Sequence, residues 1–391
     1  MSTASPWQIP EAILANADRY RQIRRAIHAE PELGFKEEKT ASLVASHLSK
    51  AGFEVTTGIG GTGVVGTLRK GTGARSIGLR ADMDALPMTE ANDLSYKSTR
   101  PGVFHGCGHD GHTATLLAAA DYLAGMDFDG TVHLIFQPAE EGLGGARAMI
   151  DDGLFDRFPC DLIFGLHNFP GAPVGTFTLR TGPFLAANDS FSLTVHGRGG
   201  HVGLPHLAID PVIVAAEIVT AWHAMLGRRS APTLPVTLSV TRFHAGEADN
   251  AIPDTARLGG STRTFDKATH RDIEGWMRDM AEGIAAGYGA SVTFTRKVLY
   301  PPLVNHASGV HAALDAARAI APADMVNDDA EIVMGSEDFA EMLQVRPGAY
   351  ILLGAGAGAN ACMVHDPHYD FNDELIPIGA AYWVKLVENL L

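Results

Sequence analysis

The sequence is poor in cysteine and has no long apolar run. Only three cysteines, Cys107, Cys160 and Cys362, occur among 391 residues. A small, odd number of thiols does not form a disulfide framework, and it suits a reducing cytosol. No apolar run approaches the ~20 residues that span a bilayer, and no basic segment followed by an apolar one opens the chain. We therefore expect a soluble cytoplasmic protein without a membrane partner.

Basic residues are also scarce. The chain has 30 Lys and Arg against 45 Asp and Glu, which gives a formal net charge of −15. This balance argues against non-specific nucleic-acid binding, because that function needs a basic face. Hydrophobic residues make up 46% of the chain, enough for a globular core, and the length suggests two domains.

One short stretch, 105–112, concentrates reactive side chains. It contains His105, Cys107, His109, Asp110 and His112, separated by three glycines. Imidazole, thiolate and carboxylate groups bind transition metals, and glycine lets the backbone turn sharply around one centre. An apolar run that is typical of a helix follows at once. The stretch therefore predicts part of a metal site, with a histidine-rich turn as the structural alternative.

Apolar periodicity, punctuated by glycine and proline, predicts an alternation of strands and helices. Predicted strands are 53–57, 64–68, 76–82, 130–136 and 161–166, and predicted helices include 10–30, 39–51 and 375–391. Such alternation is typical of an α/β fold with a mostly parallel central sheet flanked by helices.

Polar residues follow three of these strands, namely Asp82 with Asp84, Glu140 with Glu141, and His167. Taken singly, a turn, a solvated charge pair or a hydrogen-bonded histidine explains each of them. The carboxyl ends of parallel strands share one edge of a sheet, so these groups can converge there. Together they make the kind of ligand set that a two-metal hydrolytic site needs. We expected Glu140 and Glu141 to point to opposite faces, as adjacent strand residues do.

The pattern changes near residue 184. Strands and helices between 184 and 299 are ordered βαββαβ, which indicates a small inserted α+β domain. We predict a catalytic domain in two parts, 1–183 and 300–391, around this insert. His201, Asn250 and Arg263 are its polar candidates, and an arginine suits a carboxylate ligand. Each of them is equally compatible with a surface or interface position.

Eight motifs in a fixed order are similar to those of one protein family. They lie at 28–35, 80–87, 105–112, 137–141, 197–206, 250–254, 335–339 and His365. The chain resembles the di-metal aminoacylase/carboxypeptidase superfamily, within its amidohydrolase branch of hippurate hydrolases, N-acyl-amino-acid deacylases and auxin-conjugate hydrolases. The resemblance implies a di-zinc exopeptidase-like fold, an inserted lid and dimerisation domain, and a homodimer or homotetramer.

The resemblance also implies a set of site residues. Two divalent ions (zinc, manganese, cobalt or nickel) would be held by Cys107, His109, Glu141, His167 and His365. Glu140 would be the general base, and Asp84 would support the site. His201, in its own or the partner subunit's site, would stabilise the oxyanion, and Asn250 or Arg263 would hold the substrate carboxylate.

Two positions differ from the wider superfamily, and one site departs from the branch. Asp82 occupies the position of a metal-binding histidine, and Cys107 that of a bridging aspartate, so that a thiolate would bridge and His109 would replace the missing imidazole. Val202-Gly203 stands where the branch has Gly-Ala.

The function that the resemblance implies is hydrolysis of the amide bond of N-acyl amino acids, such as N-acetyl or N-benzoyl derivatives, to a carboxylate and a free amino acid. Dipeptidase or carboxypeptidase activity is the alternative within the same superfamily. A metal-stabilised binding protein without catalysis, and an enzyme with Cys107 as nucleophile, are the alternatives from other classes.

Overall fold

The computed structural model describes residues 6–233, 235–356 and 362–391. The chain divides into two compact units. The first comprises Met1–Gly182, Asn305–Glu331 and Asp338–Leu391, and the second comprises Pro183–Val304 and Ile332–Glu337. The segment that we predict as an insert, 184–299, lies within the second unit. None of the helices in the described ranges has the length and apolar character needed to cross a membrane.

The helices have the following bounds: α1 (Glu11–Ala15), α2 (Ala17–Ala29), α3 (Glu38–Lys50), α4 (His109–Gly125), α5 (Gly145–Asp151), α6 (Leu154–Arg157), α7 (Pro211–Arg229), α8 (Lys267–Gly287), α9 (Ala307–Ile320), α10 (Phe339–Val345) and α11 (Leu375–Leu390). Short 3₁₀ turns occur at Pro205–Leu207 and Ala323–Met325.

The strands have the following bounds: β1 (Glu54–Ile59), β2 (Gly63–Lys70), β3 (Ser76–Asp82), β4 (Gly130–Gln137), β5 (Leu162–Pro170), β6 (Phe177–Thr178), β7 (Gly182–Leu185), β8 (Asn188–His196), β9 (Gly200–His201), β10 (Thr237–Ala245), β11 (Ala251–Ile252), β12 (Thr255–Arg263), β13 (Ser291–Tyr300), β14 (Leu303–Asn305), β15 (Val326–Asn327) and β16 (Gly348–Gly356).

The first unit is built on an eight-stranded sheet with the order β1-β2-β4-β3-β5-β16-β6-β15. Its centre, from β4 through β3 and β5 to β16, is parallel, whereas β1 and β2 add an antiparallel edge. Strands β4 and β16 are almost wholly buried, as expected where helices cover both faces of a parallel sheet. The prediction of an α/β fold with a mostly parallel sheet is confirmed.

Two predicted elements have different bounds in the structure. The single helix predicted over 10–30 is divided at Asn16. The side-chain amide of Asn16 donates to Ala12 O at 2.8 Å and so competes with helical hydrogen bonding. The strand predicted to end at residue 166 continues to Pro170, because β16 pairs with it along that length. His167 therefore lies within β5 rather than after it.

The second unit follows the predicted βαββαβ order, with β8, α7, β10, β12, α8 and β13 as its main elements. Its antiparallel sheet has the strand order β10-β12-β8-β13. The rings of Phe191, Trp222 and Phe294 pack together in its core. Asp210 and Asp266 cap the two helices through their carboxylates, which fixes where each helix begins.

Candidate metal centre

The cysteine and histidine of the 105–112 stretch lie at the start of α4. Gly108 precedes this helix with φ +95°, in the left-handed region that favours glycine. A Cβ there would also lie 2.4 Å from Asn168 Oδ1. The helix begins at His109, so His109 is fixed by helical backbone and Cys107 by the turn before it. Both residues are buried.

Hydrogen bonds to backbone carbonyls orient two imidazoles. His109 Nδ1 donates to Asp84 O at 2.9 Å, and His167 Nδ1 donates to Asn168 O at 2.7 Å. In the neutral ring this places the proton on Nδ1 and leaves the Nε2 lone pair available. Nε2 of His109 is buried without a hydrogen-bond partner among the described residues. Nε2 of His167 lies 3.4 Å from Cys107 Sγ.

Glu140 and Glu141 follow β4 on a turn rather than on extended backbone. Ala139 has φ +54°, which interrupts the alternation of a strand. Carboxylate oxygens of both glutamates lie within 4.8 Å of each other and of a ring nitrogen of His109. The expectation that the two carboxylates point to opposite faces is wrong, because oxygens of both converge on the same imidazole.

His365 comes from the last segment of the first unit. Its backbone N–H donates to Gly106 O at 2.7 Å, and its φ of +68° is also left-handed. Its Nε2 lies 3.1 Å from Glu141 Oε1. The side chain is 53% exposed, so it forms the open side of the cluster.

All five predicted metal ligands converge, in two groups that share one residue. In the first group, ligand atoms of Cys107, His109 and His167 lie within 4.8 Å of one another. In the second, those of Cys107, Glu141 and His365 do so. The Cys107 thiol is the donor that the two groups have in common.

The electrostatics of this cluster favour a cation. Burial lowers the pKa of His109, but the neighbouring carboxylates, with Asp82 and Asp84 foremost, outweigh it and raise the pKa to about 10. Burial, and then the charges of Glu141 and Glu140, raise the pKa of the Cys107 thiol well above its usual value. The donors therefore fit divalent ions, which neutralise clustered carboxylates and stabilise a thiolate.

Asp84 joins two members of the cluster. Its Oδ1 lies 3.2 Å from His109 Nδ1, and its Oδ2 accepts the Glu141 N–H at 3.0 Å. The carboxylate is almost fully buried. It therefore fixes one imidazole and one glutamate relative to each other.

Other supporting residues were missed by sequence reasoning, although several lie in the eight motifs. Arg80 donates to Asp82 at 2.7 Å, to Gln137 at 2.8 Å and to Asp338 at 3.2 Å. Asp338 also accepts the Ala146 N–H at 2.9 Å. This buried network ties the ends of β3 and β4 to the start of α10. Apart from Arg80 and Asp82, the members of each pair are distant in sequence, so no local signal could have identified these contacts.

A second chain of contacts starts at the other oxygen of Asp82. His112 Nδ1 lies 2.6 Å from Asp82 Oδ1, and its Nε2 lies 2.6 Å from Asn168 Oδ1. Asn168 donates onward to the Tyr369 hydroxyl at 2.8 Å. Both carboxylate oxygens of Asp82 thus accept hydrogen bonds from protein donors. Asp82, which stands where the wider superfamily has a histidine, is therefore part of a supporting network.

The three remaining site predictions lie in the second unit. His201 pairs with Ala251 in the ladder of β9 and β11, beside Asn250. His201 Nδ1 accepts the Gly203 N–H at 3.0 Å, so the neutral ring carries its proton on Nε2. Arg263 donates to Ser336 Oγ at 2.7 Å.

Residues 78–389 match the model of peptidase family M20/M25/M40. The hippurate hydrolase of Campylobacter jejuni is 42% identical, and the match covers 98% of this chain and 99% of that protein. Thermostable carboxypeptidase 2 of Saccharolobus solfataricus is 40% identical, with 92% of each chain covered.

A crystal structure of a dinuclear metal-binding M20 peptidase from Bacillus subtilis superposes with a TM-score of 0.84. It is 32% identical, and the match covers 96% of this chain and 98% of that one. The family match spans most of the chain, and the full-length relatives exceed 30% identity. The chain therefore belongs to peptidase family M20/M25/M40.

Proposed function

We propose that this protein is a metal-dependent amidohydrolase that releases free amino acids from N-acyl amino acids. The observation that carries the proposal is the position of Glu140, which lies with Glu141 beside His109 at the cluster of candidate ligands. A purely structural metal site has no need of an adjacent base. The full-length similarity to a hippurate hydrolase supports an N-acyl amino acid as the substrate class.

The proposed cofactor is a pair of divalent ions. We assign Cys107, His109 and His167 to one ion and Cys107, Glu141 and His365 to the other. The dinuclear metal-binding relative supports this number. Mixed thiolate, imidazole and carboxylate donors suit zinc, manganese, cobalt or nickel, and metal availability then decides among them.

The reaction follows from the residues around these ligands. Bound divalent ions would supply Lewis acidity and lower the pKa of water at the site. Glu140 takes a proton as water attacks the amide carbon and passes that proton to the leaving amine. Because one carboxylate performs both transfers, it must stay within hydrogen-bond reach of the attacking and the leaving atoms.

We assign the remaining roles to the second unit. His201, in its own or the partner subunit's site, is proposed to donate its Nε2–H to the developing oxyanion, and the bond from Gly203 favours the required tautomer. Asn250 and Arg263 are proposed to bind the substrate carboxylate, with Arg263 providing the charge.

We further propose that the protein is cytoplasmic and forms a homodimer or homotetramer.

Carboxypeptidase activity is the second candidate. It is favoured by the 40% identity to the thermostable carboxypeptidase of Saccharolobus solfataricus. Both reactions cleave an amide next to a free carboxylate, so the same cluster can serve either. The acyl side of the substrate distinguishes them.

A substrate panel with metal analysis tests the proposal. N-acetyl and N-benzoyl amino acids should be hydrolysed at higher kcat/KM than dipeptides of the same carboxyl-terminal residue. The opposite order favours the carboxypeptidase. Glu140→Gln should keep two ions per chain and lose turnover, whereas turnover at the wild-type rate would refute the assignment of the base.

The alternative in which Cys107 is the nucleophile conflicts with its environment, because a reactive cysteine needs a lowered thiol pKa and this one is raised. Removal of metal with EDTA should abolish activity, and added metal should restore it. Activity that survives EDTA but is lost to iodoacetamide would reverse this conclusion.

A further inference from the structure

The turn that carries the proposed base, residues 138–142, has a strained backbone. Ala139 adopts φ +54°, a region that residues with a Cβ rarely occupy. Such a conformation persists only where surrounding contacts over-determine it. The contacts that hold Ala139 therefore also determine where Glu140 points.

The carboxylate of Glu37 supplies one of these contacts. Its Oε1 accepts the Ala139 N–H at 2.8 Å, and its Oε2 accepts a short hydrogen bond from Thr62 Oγ1. Glu37 and Ala139 are both fully buried. With Glu37 absent, the Ala139 N–H would be a buried donor that water does not reach.

Glu37 is free for this contact because another glutamate caps the helix that it precedes. Glu37 occupies the N-cap position of α3, yet its side chain makes no capping hydrogen bond there. Glu32 accepts the N–H groups of Lys39 and Thr40 instead, at 3.0 and 2.9 Å. The segment thus holds two buried carboxylates with separate partners.

Close packing reinforces the contact. A Cβ added to Gly34 would lie 3.0 Å from Ala139 Cα and 2.8 Å from the Leu143 side chain. Only a glycine at this position lets the segment lie against the 138–142 turn. Gly34 and Glu32 belong to the motif at 28–35, and Glu37 follows it closely. The proposed reaction gives none of these three residues a role.

We propose that Glu37 is a positioning residue that fixes the 138–142 turn and thereby aims the carboxylate of Glu140. On the other side of Glu140, Asp84 holds the Glu141 N–H. The base thus stands between two backbone amides, each anchored by a buried carboxylate. This inference rests on the proposed function only in naming Glu140 as the base.

Four variants test the inference. Glu37→Gln keeps an oxygen for the Ala139 N–H and gains an amide donor for Thr62. Glu37→Leu removes the acceptor, and Glu37→Asp keeps the charge but withdraws the acceptor by one methylene. Glu32→Leu is the matched control, because it removes a buried carboxylate of the same segment that does not touch the turn.

Each variant is loaded with metal and measured in two ways. The first is the steady-state hydrolysis of an N-acyl amino acid, and the second is amide hydrogen exchange of the peptide that contains 138–142. Glu37→Leu and Glu37→Asp should lose about 100-fold in kcat, the scale of a small misplacement of a reacting group. Their KM should change much less, and their turn should exchange faster.

Glu37→Gln should behave as wild type in both measurements, and Glu32→Leu should keep kcat and slow exchange in the turn. The inference is overturned if Glu37→Leu and Glu37→Asp match Glu32→Leu, or if Glu37→Gln is as impaired as Glu37→Leu. A wild-type chain inactive on all N-acyl amino acids refutes the proposed function instead. The exchange comparison then still decides whether Glu37 holds the turn.

Discussion

Replacing Asp84 by asparagine should weaken metal binding without removing a ligand. The carboxylate uses one oxygen for His109 and the other for the Glu141 N–H, at 3.2 and 3.0 Å. Asparagine has one acceptor oxygen, so one of the two donors would face an amide N–H. His109 retains the Asp84 carbonyl at 2.9 Å, so the loss should be partial.

The expected loss of metal-binding free energy has the size of one charge-assisted hydrogen bond. One hydrogen bond to a charged group contributes about 1.5–3 kcal/mol. Loss of a partner behind a metal ligand typically lowers metal affinity about 10–100-fold, or roughly 1.4–2.7 kcal/mol. We therefore expect Asp84→Asn to bind the more weakly held ion about 10–100-fold less tightly than the wild type.

The assay is a titration of the metal-free protein with zinc against a competing chelator. Asp121→Asn is the matched control, because Asp121 also accepts from a histidine, at 2.8 Å from His47, but contacts none of the proposed ligands. Unchanged affinity in Asp84→Asn, or an equal loss in Asp121→Asn, would show that Asp84 does not organise the ligands.

Three further outcomes follow from the geometry. His201→Ala should lower kcat about 10²–10³-fold, the usual cost of one oxyanion donor, while metal analysis finds both ions; loss of metal would contradict the role. Arg263→Ala should raise KM for N-acyl amino acids much more than for uncharged N-acyl amides, and equal effects would refute a carboxylate-binding role. Burial lowers the pKa of His28, but hydrogen bonds with Asp110 and Glu90 outweigh it and raise the pKa from 6.5 to about 9. Because the folded-state pKa is the higher one, the stabilisation is fully present below pH 6.5 and is lost as the pH rises through 9. In denaturant unfolding, the wild type should therefore lose about 3 kcal/mol more stability across this window than His28→Gln does, and an equal loss in both would refute the role of His28.

Local sequence patterns predicted most helices and strands, because apolar periodicity and the residues that end an element are read from neighbouring positions. The helix predicted over 39–51 is observed as α3, Glu38–Lys50, since an amphipathic pattern specifies it. The contact between Arg263 and Ser336 Oγ, just before α10, joins residues that are far apart in sequence, and no local pattern reveals it.

The candidate ligands were identifiable from motifs, but their arrangement was not. The turn that carries Glu140 and Glu141 contains a left-handed alanine, and alanine carries no sequence signal for that conformation. The partners of Asp82 likewise include His112 and, through it, Asn168, which lies 56 residues further along. Such contacts follow from the tertiary fold, and only the structure places them.

The position of β16 has a consequence for the order in which this chain acquires its structure during synthesis. This strand lies between β5 and β6 in the sheet of the first unit, although it is the last strand in sequence. The sheet of the second unit, by contrast, is complete once Tyr300 has emerged. Domains generally fold as units during translation, so we expect the inserted unit to fold while β5 still presents an unpaired edge. The ribosome-bound chain should therefore depend most on chaperones in the interval before residue 356 is made, when that edge is open to incorrect pairing.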